Sequence, residues 1–171
     1  MFILPLLMSA TQPTLAAPKY RSPDARREWH TARFGASSLE DMTCTPGVAT
    51  DTKDCTRPAA SGDTTIGELK ADSVTYRYFE GRLYRVDVAF NTDAQAAALS
   101  TVLHQVYGPG AWSAIEQNES WRADQNAVSW TINRRTPGAV LAYTFLPGAE
   151  DLEAARVKQG GAALEQTAAA L

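Results

Sequence analysis

V-T-Y-R-Y-F-E-G-R-L-Y-R-V-D-V-A-F, residues 74–90, is the stretch of this chain that decides its fold. Apolar and polar residues alternate before and after the segment 80–82, and most of the apolar residues are β-branched or aromatic. This pattern is typical of two half-buried strands joined by a turn. The sequence therefore predicts a β-hairpin with its apolar side chains on one face of a sheet.

The register of this hairpin follows from its two faces, because a slip of one residue moves every side chain to the other side. The pairing that brings apolar partners together is Tyr78 with Tyr84, Tyr76 with Val86 and Val74 with Val88. On the opposite face this register makes Arg77 and Arg85 cross-strand neighbours, with Thr75 and Asp87 beside them.

One helix and three further strands complete the predicted core. Residues 92–107 predict the helix, because a capping-box pattern opens the segment, an apolar stripe follows and a glycine ends it. Alternation predicts strands ending near Trp121, over residues 128–132 and over residues 141–145. The order β-β-α-β-β-β indicates an α+β fold, in which one main helix packs on one face of an antiparallel β-sheet as a two-layer sandwich.

The start of the chain predicts export. Residues 1–17 carry no charge, begin with an apolar run and end in small residues. Such a run is typical of a signal peptide, and it is too short for a membrane span, which needs about 20 apolar residues. We expect residues 1–16 to be a signal peptide cleaved after Ala16, although the usual positive residues are missing before the apolar run. The alternative is a buried N-terminal strand or helix.

Three segments are predicted after the signal peptide: an N-terminal segment 17–64, the α+β core 65–148 and a C-terminal tail 149–171. In the first segment, Ser22 before a proline and Ser37 three residues before a glutamate are patterns that open helices. We therefore expect two short helices there, followed by a loop up to the core. The tail is rich in Ala, Glu and Gln and predicts a short terminal helix that frays.

Cys44 and Cys55 are the two cysteines of the chain, and the spacer between them is polar and rich in turn residues. A metal site needs more ligands, and the two histidines, His30 and His104, are not spaced near the cysteines as zinc motifs require. We expect a structural disulfide and no metal or other cofactor, with two free thiols as the alternative. Disulfides persist in oxidising compartments, which agrees with export.

Composition and motifs exclude several classes of function. The net charge is −3 and the pI is about 5.4, so the chain lacks the basic stripe of a nucleic-acid-binding protein. It has neither a nucleophile elbow nor a phosphate-binding glycine loop. His104 lies off the apolar stripe of the predicted helix, where a solvated surface position is expected. We predict no nucleic-acid partner and no transmembrane segment in the mature chain.

Arg77 and Arg85 form the predicted ligand-binding site. Like charges directly opposite each other are unfavourable, so an anion or a carboxylate that contacts both would explain the pair. The alternative is that both side chains extend into water or pair with acidic residues of the N-terminal segment. A second patch consists of aromatic residues at the inward phase of the strands, where core positions are favoured over a sugar-stacking platform. Its members are Tyr76, Tyr78, Tyr84, Trp130, Tyr143 and Phe145.

The combination of Phe34-Gly35, the two cysteines, the stretch 76–88 and Val106-Tyr107-Gly108 resembles small exported bacterial proteins of uncharacterised function. The resemblance covers residues 34–146, and its motifs are turn and core signatures. It implies export and the sheet, and it carries over no catalytic residue.

These observations predict a periplasmic or extracellular binding or accessory protein, non-enzymatic, whose sheet face binds another protein or an anionic small ligand of the cell envelope. The alternative is a hydrolase or isomerase that uses carboxylates, which requires a cleft near Glu116, Glu119 or Asp124. A third possibility is a structural accessory domain, whose sheet face would be covered by residues 18–33.

Overall fold

The computed structural model describes residues 27–58, 62–122, 128–134 and 137–169, with side chains for all of these except 128 and 161–169. The predicted signal peptide lies outside these residues. In chain order the elements are β1 (Glu28–Trp29), β2 (Ala32–Arg33), β3 (Thr43–Pro46), β4 (Thr52–Thr56), β5 (Thr65–Ile66), β6 (Leu69–Lys70), β7 (Ser73–Phe79), β8 (Arg82–Phe90), α1 (Asp93–Tyr107), β9 (Ala111–Ser113), β10 (Asn118–Arg122), β11 (Val128–Arg134), β12 (Ala139–Phe145) and α2 (Leu146–Ala169).

The main feature of the fold is an eight-stranded antiparallel sheet in the order β3-β4-β7-β8-β12-β11-β10-β9. Two small hairpins, β1–β2 and β5–β6, lie outside this sheet. Helix α1 contacts β6, β8 and β12, and α2 contacts β8 and β12. The predicted α+β class, with an antiparallel sheet and one main helix, is confirmed. The C-terminal helix makes the two-layer description a loose one.

The hairpin of β7 and β8 has the predicted register over most of its length. Tyr76 pairs with Val86, and Val74 pairs with Val88. Close to the turn the prediction is wrong, because Tyr78 pairs with Leu83 and not with Tyr84.

The turn itself explains this difference. Only Glu80 and Gly81 connect the strands, with φ of +48° and +77°. Two left-handed residues form the tight turn whose twist matches a hairpin, and this turn places Phe79 opposite Arg82. A bulge then adds Tyr84 as an extra residue on β8, which restores the predicted register beyond it.

The apolar face of the sheet forms the core with α1 and residues of the N-terminal segment. Leu99 and Leu103 of α1 are buried against it, as are Trp29 and Phe34. The fully or almost fully buried aromatic residues from the strands confirm the predicted inward phase, and these are Tyr76, Tyr78, Trp130 and Tyr143. Phe145 is half-buried against the core. Tyr84 is a correction, since the bulge places it beside α2, where it is only half-buried.

Helix α1 begins and ends where the sequence predicts. Thr92 is the N-cap residue, and its hydroxyl accepts a hydrogen bond from the backbone N–H of Gln95 at 3.2 Å. The Gln95 side chain accepts the Thr92 backbone N–H in return at 3.1 Å, which completes the capping box. Gly108 caps the other end with φ of +78°. The local sequence is sufficient to predict this helix, because the capping residues and the apolar stripe indicate the same bounds.

The N-terminal segment differs most from the prediction. The expected helix from Ser37 to the vicinity of Cys44 is wrong, because β3 begins at Thr43 and no helical residue precedes it in the described part of this segment. The expected loop contains β4, which pairs with β7. Strand β7 would otherwise leave a row of backbone groups unpaired at the sheet edge. The hydrogen bonds that β3 and β4 add at this edge outweigh the local capping pattern at Ser37.

The predicted disulfide is present between Cys44 and Cys55. The two residues are cross-strand partners in β3 and β4, with their Cα atoms 4.0 Å apart. Cys55 is fully buried against Tyr76 of β7, its backbone partner in the next strand. The disulfide therefore ties the edge hairpin together at the point where it joins the core.

The C-terminal tail is helical from Leu146 to Ala169, which is longer than the short helix predicted. Gly148 lies against Tyr84, since a Cβ atom added at Gly148 would be 2.8 Å from the Tyr84 Cβ. This close approach anchors the first turn of α2 beside β8. Neither α1 nor α2, over the residues described, is long and apolar enough to cross a membrane.

Candidate functional site

The predicted arginine pair lies where the sequence places it, on the face of the sheet opposite the core. Arg77 and Arg85 are direct cross-strand partners. The carboxylate of Asp87 lies between them. Its Oδ2 accepts a hydrogen bond from Arg77 Nε and its Oδ1 accepts one from Arg85 Nε, both at 2.6 Å. Asp87 is only 8% exposed, so these two bonds satisfy a nearly buried carboxylate.

A second carboxylate approaches Arg77 from the neighbouring strand. Asp54 of β4 is the backbone partner of Arg77, and its Oδ2 lies 3.8 Å from Arg77 Nη1. Burial by itself lowers the pKa of the Arg77 guanidinium, but the charges of Asp87 and Asp54 outweigh burial and raise it above its ordinary value. Arg77 therefore carries its positive charge at neutral pH.

Asp87 and Asp54 provide partners within the chain for the two arginines. Like charges facing each other needed an explanation, and Asp87 supplies one within the chain itself. The pairing with a carboxylate of the N-terminal segment, weighed as an alternative, is also seen in Asp54. Asp87 shares a face with Arg85 two residues away, so the period of the strand contained the signal for this bridge.

A polar cavity of about 470 Å³ opens beside this cluster, between the sheet, the β3–β4 turn and α2. Arg77 and Asp54 line it from the sheet, Thr50 lines it from the turn, and Arg156 lines it from α2. Tyr84 closes one side, and burial raises the pKa of its hydroxyl even though Arg77 and Arg85 act in the opposite direction. Over the described residues, the wall therefore combines guanidinium and hydroxyl donors with the single carboxylate of Asp54.

Residues 27–33, the described part of the predicted cover, do not lie on this face. Trp29 and Ala32 are buried in the core on the apolar side of the sheet. The predicted cover by residues 18–33 is thus not seen for residues 27–33, and residues 18–26 lie outside the described chain. The arginine face is left to the polar cavity and α2.

A second polar network, which the sequence analysis missed, links the N-terminal segment to the core. The carboxylate of Asp63 is almost completely buried, and its Oδ2 accepts hydrogen bonds from Arg57 Nη1 at 2.6 Å and from the Tyr76 hydroxyl at 2.5 Å. Arg57 also binds both carboxylate oxygens of Asp41 through Nε, at 3.1 and 2.9 Å. The residues come from distant parts of the chain, and no local spacing identifies them.

The ionisation of this network is set by burial and by its partners. Burial, followed by the hydrogen bond to Asp63, raises the pKa of the Tyr76 hydroxyl far above its ordinary value. The hydrogen bond from Arg57 lowers the pKa of Asp41. Arg57, Asp63 and Tyr76 are all largely buried, and only Asp41 is exposed. This burial indicates a structural role for the network and not a binding site.

The carboxylates proposed for a catalytic cleft are placed separately. Glu119 Oε1 accepts hydrogen bonds from His104 Nε2 at 2.6 Å and from the Gly110 backbone N–H at 2.9 Å. Glu116 accepts one from the Asn118 amide at 2.7 Å, while Asp124 lies outside the described residues. His104 is exposed, as predicted, and its ring is held by this hydrogen bond to Glu119. The polar cavity does not include these groups.

Metal ligation has no visible basis in residues 27–58, 62–122, 128–134 and 137–169, where no group of three or more His, Cys, Asp or Glu side chains is arranged to hold an ion. In comparisons with known proteins, no family model matches the chain, and no curated protein or solved structure is significantly similar to it. The function must therefore be argued from the geometry of the chain alone.

Proposed function

We propose that this protein is a non-enzymatic binding protein of the cell envelope, periplasmic or secreted, which holds a small carboxylate ligand in the polar cavity beside Arg77. The observation that carries the proposal is the wall of this cavity, in which Arg77 of the sheet and Arg156 of α2 both take part. Guanidinium groups bind carboxylates through paired N–H donors, which makes arginine the usual residue for such recognition.

The arginine cluster is held in place before any ligand arrives. Asp87 engages the Nε atoms of Arg77 and Arg85, and a guanidinium group carries further N–H donors on its two Nη atoms. Arg77 Nη1 is too far from Asp54, at 3.8 Å, for a direct hydrogen bond. A side chain that is already positioned loses less entropy when it binds, which favours affinity.

The charges around the cavity indicate the size of the ligand's charge. Arg77, Arg85 and Arg156 are opposed by Asp54 and Asp87, so the cluster has a small positive excess. Glu153 approaches Arg156 at 3.6 Å, but both side chains are mostly exposed and such pairs contribute little. A singly charged carboxylate suits this balance, whereas a polyanion would meet the two carboxylates as well.

Two features that are typical of exported proteins support the proposed location. The Cys44–Cys55 disulfide is typical of proteins outside the cytosol. The apolar residues 1–16, predicted as a signal peptide, agree with this location.

The test is recovery of the chain from its native envelope fraction, followed by mass spectrometry of the small molecules and proteins that remain bound. We expect a small carboxylate to remain bound to the unchanged chain and to be absent from the Arg156→Gln variant. Arg156 is exposed, so this substitution leaves the core intact. The combination Arg77→Gln, Arg85→Gln and Asp87→Asn removes the sheet cluster without leaving a buried carboxylate unpaired, and it should have the same effect. Arg33→Gln, on an exposed β2 position, is the matched control.

The outcome against the proposal is equally clear. Identical small molecules retained by every variant would remove the polar cavity as the site. Retention of one protein, lost in the same variants, would assign the face to a protein partner instead.

The carboxylate-dependent hydrolase or isomerase remains the second candidate, because Glu119 is held at 2.6 Å from His104. Turnover of any substrate that is abolished by Glu119→Gln would favour that candidate.

A further inference from the structure

The sheet wall of the polar cavity presents a pair of opposite charges on neighbouring strands. Asp54 of β4 and Arg77 of β7 are direct backbone partners, so their side chains leave the sheet side by side on the same face. Both line the cavity, and their side chains are 30% and 35% exposed. A molecule in the cavity therefore meets a carboxylate and a guanidinium group at the same place.

These two groups attract each other without forming a hydrogen bond. Asp54 Oδ2 lies 3.8 Å from Arg77 Nη1, which is beyond the range of a direct hydrogen bond. Arg77 is fixed instead by its Nε bond to Asp87 at 2.6 Å, and its Nη atoms carry further donors. The Asp54 carboxylate accepts no hydrogen bond from the described residues. Both groups can therefore bind a third molecule without breaking a hydrogen bond between them.

The distance between the two groups matches the charge separation of an α-amino acid. In such a molecule the ammonium and carboxylate groups are attached to one carbon, so the nitrogen and the nearer oxygen are about 3 Å apart. Charge-assisted hydrogen bonds of about 2.8 Å then connect this nitrogen to Asp54 and this oxygen to Arg77. Protein atoms 3.8 Å apart allow both bonds at once, without a movement of either side chain.

The remaining walls provide the other contacts that such a ligand needs. Arg156 of α2 lines the cavity with a second guanidinium group, so the carboxylate of the ligand has two cationic partners and its ammonium group has Asp54. No charge of the ligand is then left without a partner, which is the condition for removing a charge from water. Ala49 and Leu152, both half-buried, add apolar surface that suits an aliphatic side chain.

We propose that the polar cavity binds a zwitterionic α-amino acid with an aliphatic side chain, whose carboxylate accepts hydrogen bonds from Arg77 and Arg156 while its ammonium group donates to Asp54. This inference rests on the proposed function, because it names the class of the carboxylate ligand held there. A carboxylate without an amino group would take water away from Asp54 and give it no partner, which is unfavourable.

Three small molecules separate the features of this ligand. L-Leucine carries both charges on one carbon, 6-aminohexanoate is its isomer with the charges at opposite ends, and 4-methylpentanoate is leucine without the ammonium group. A ¹H–¹⁵N NMR titration of the full chain measures the affinity of each molecule. We expect saturable shifts with leucine, with half-saturation below about 1 mM. The other two should bind at least about 10-fold more weakly, because each loses a charge-assisted hydrogen bond.

Asp54→Asn tests the contact with the ammonium group. This variant should bind leucine about 10-fold more weakly, and it should bind 4-methylpentanoate at least as well as the unchanged chain does. Asp51→Asn is the matched control, because it removes the same charge at an exposed turn position outside the cavity wall, and asparagine tolerates the positive φ of Asp51. The amide spectrum checks that each variant is folded. Asp54→Thr, a residue suited to strands, replaces Asp54→Asn if that variant does not fold.

The possible results distinguish this inference from the proposed function. Equal affinities for leucine and 4-methylpentanoate, both weakened by Arg156→Gln, would overturn the amino-acid ligand and leave a carboxylate site in place. Leucine binding that is unchanged in Asp54→Asn, or equalled by 6-aminohexanoate, would overturn it as well. The absence of saturable leucine binding would have the same consequence, whereas the proposed function depends on the carboxylate recovered from the envelope fraction.

Discussion

Asp87→Asn should destabilise the protein more than any other single substitution on the polar face of the sheet. The side chain keeps its shape but loses its charge, so it can no longer accept from both arginines. Hydrogen bonds to charged groups contribute about 1.5 to 3 kcal/mol each. Arg77 and Arg85 are about one-third exposed, and solvent weakens both interactions. For two bonds we therefore expect a loss of about 2 to 4 kcal/mol in the free energy of unfolding.

The same reasoning predicts a reversal of sign. In the unchanged chain Arg77→Gln removes one bond to Asp87 and should cost about 1 to 2 kcal/mol. In the Asp87→Asn background the two arginines face each other without a carboxylate between them, and such like-charged pairs cost up to about 1 kcal/mol. Arg77→Gln should therefore stabilise the protein in that background.

Urea unfolding at pH 7, followed by fluorescence and by circular dichroism, measures all four members of this cycle. Equal slopes of the free energy against urea concentration would show that only stability has changed. A loss below about 0.5 kcal/mol for Asp87→Asn would refute the bridging role of Asp87. A destabilising effect of Arg77→Gln in both backgrounds would also refute it.

Three further predictions concern the scaffold. Replacing Cys44 and Cys55 by alanine should lower the free energy of unfolding by about 3 kcal/mol, because the disulfide closes a loop with a sequence separation of 11 and so reduces the entropy of the unfolded chain. Urea unfolding of the unchanged chain and of the double variant checks this. Burial raises the pKa of Tyr78 to about 12, above the ordinary value near 10.0. The folded state thus holds the Tyr78 proton more tightly than the unfolded chain does. The stabilisation that comes from this difference is complete below pH 10.0 and is lost as the pH rises towards 12. Tyr78→Phe should therefore flatten the fall in the free energy of unfolding measured over that pH range. Gly138→Ala should cost at least about 2 kcal/mol more than Gly81→Ala in thermal unfolding. Both positions have positive φ, but only at Gly138 would the new Cβ lie 2.0 Å from a backbone oxygen, and equal losses would contradict this packing.

Several parts of the structure could be predicted from the sequence because neighbouring residues decide them. Helix α1 is an example, since Thr92 and Gln95 cap each other within a single turn. The cross-strand relation of Arg77 and Arg85 is another, because the period of two places side chains on alternate faces whatever surrounds the sheet. The disulfide follows in the same way from two cysteines close together in a turn-rich segment.

The candidate site could be predicted only in part. The sequence identified the two arginines, and the period of the strand implied that Asp87 shares their face. It did not show that the carboxylate lies between the two Nε atoms, because side-chain positions depend on the twist of the sheet and on the neighbours across it. Asp54 and Arg156 enter the same region through β4 and α2, which are far away along the chain.

By itself the sequence determined the hairpin faces, the main helix, the disulfide and the class of the fold, all of which depend on periodicity or on short-range contacts. Only the tertiary structure decided the edge strands β3 and β4, because their hydrogen bonds exist only once β7 is in place. It also decided the bulge at Tyr84 and the polar cavity beside Arg77. A cavity has no pattern along the chain, since its walls meet only when separate elements pack.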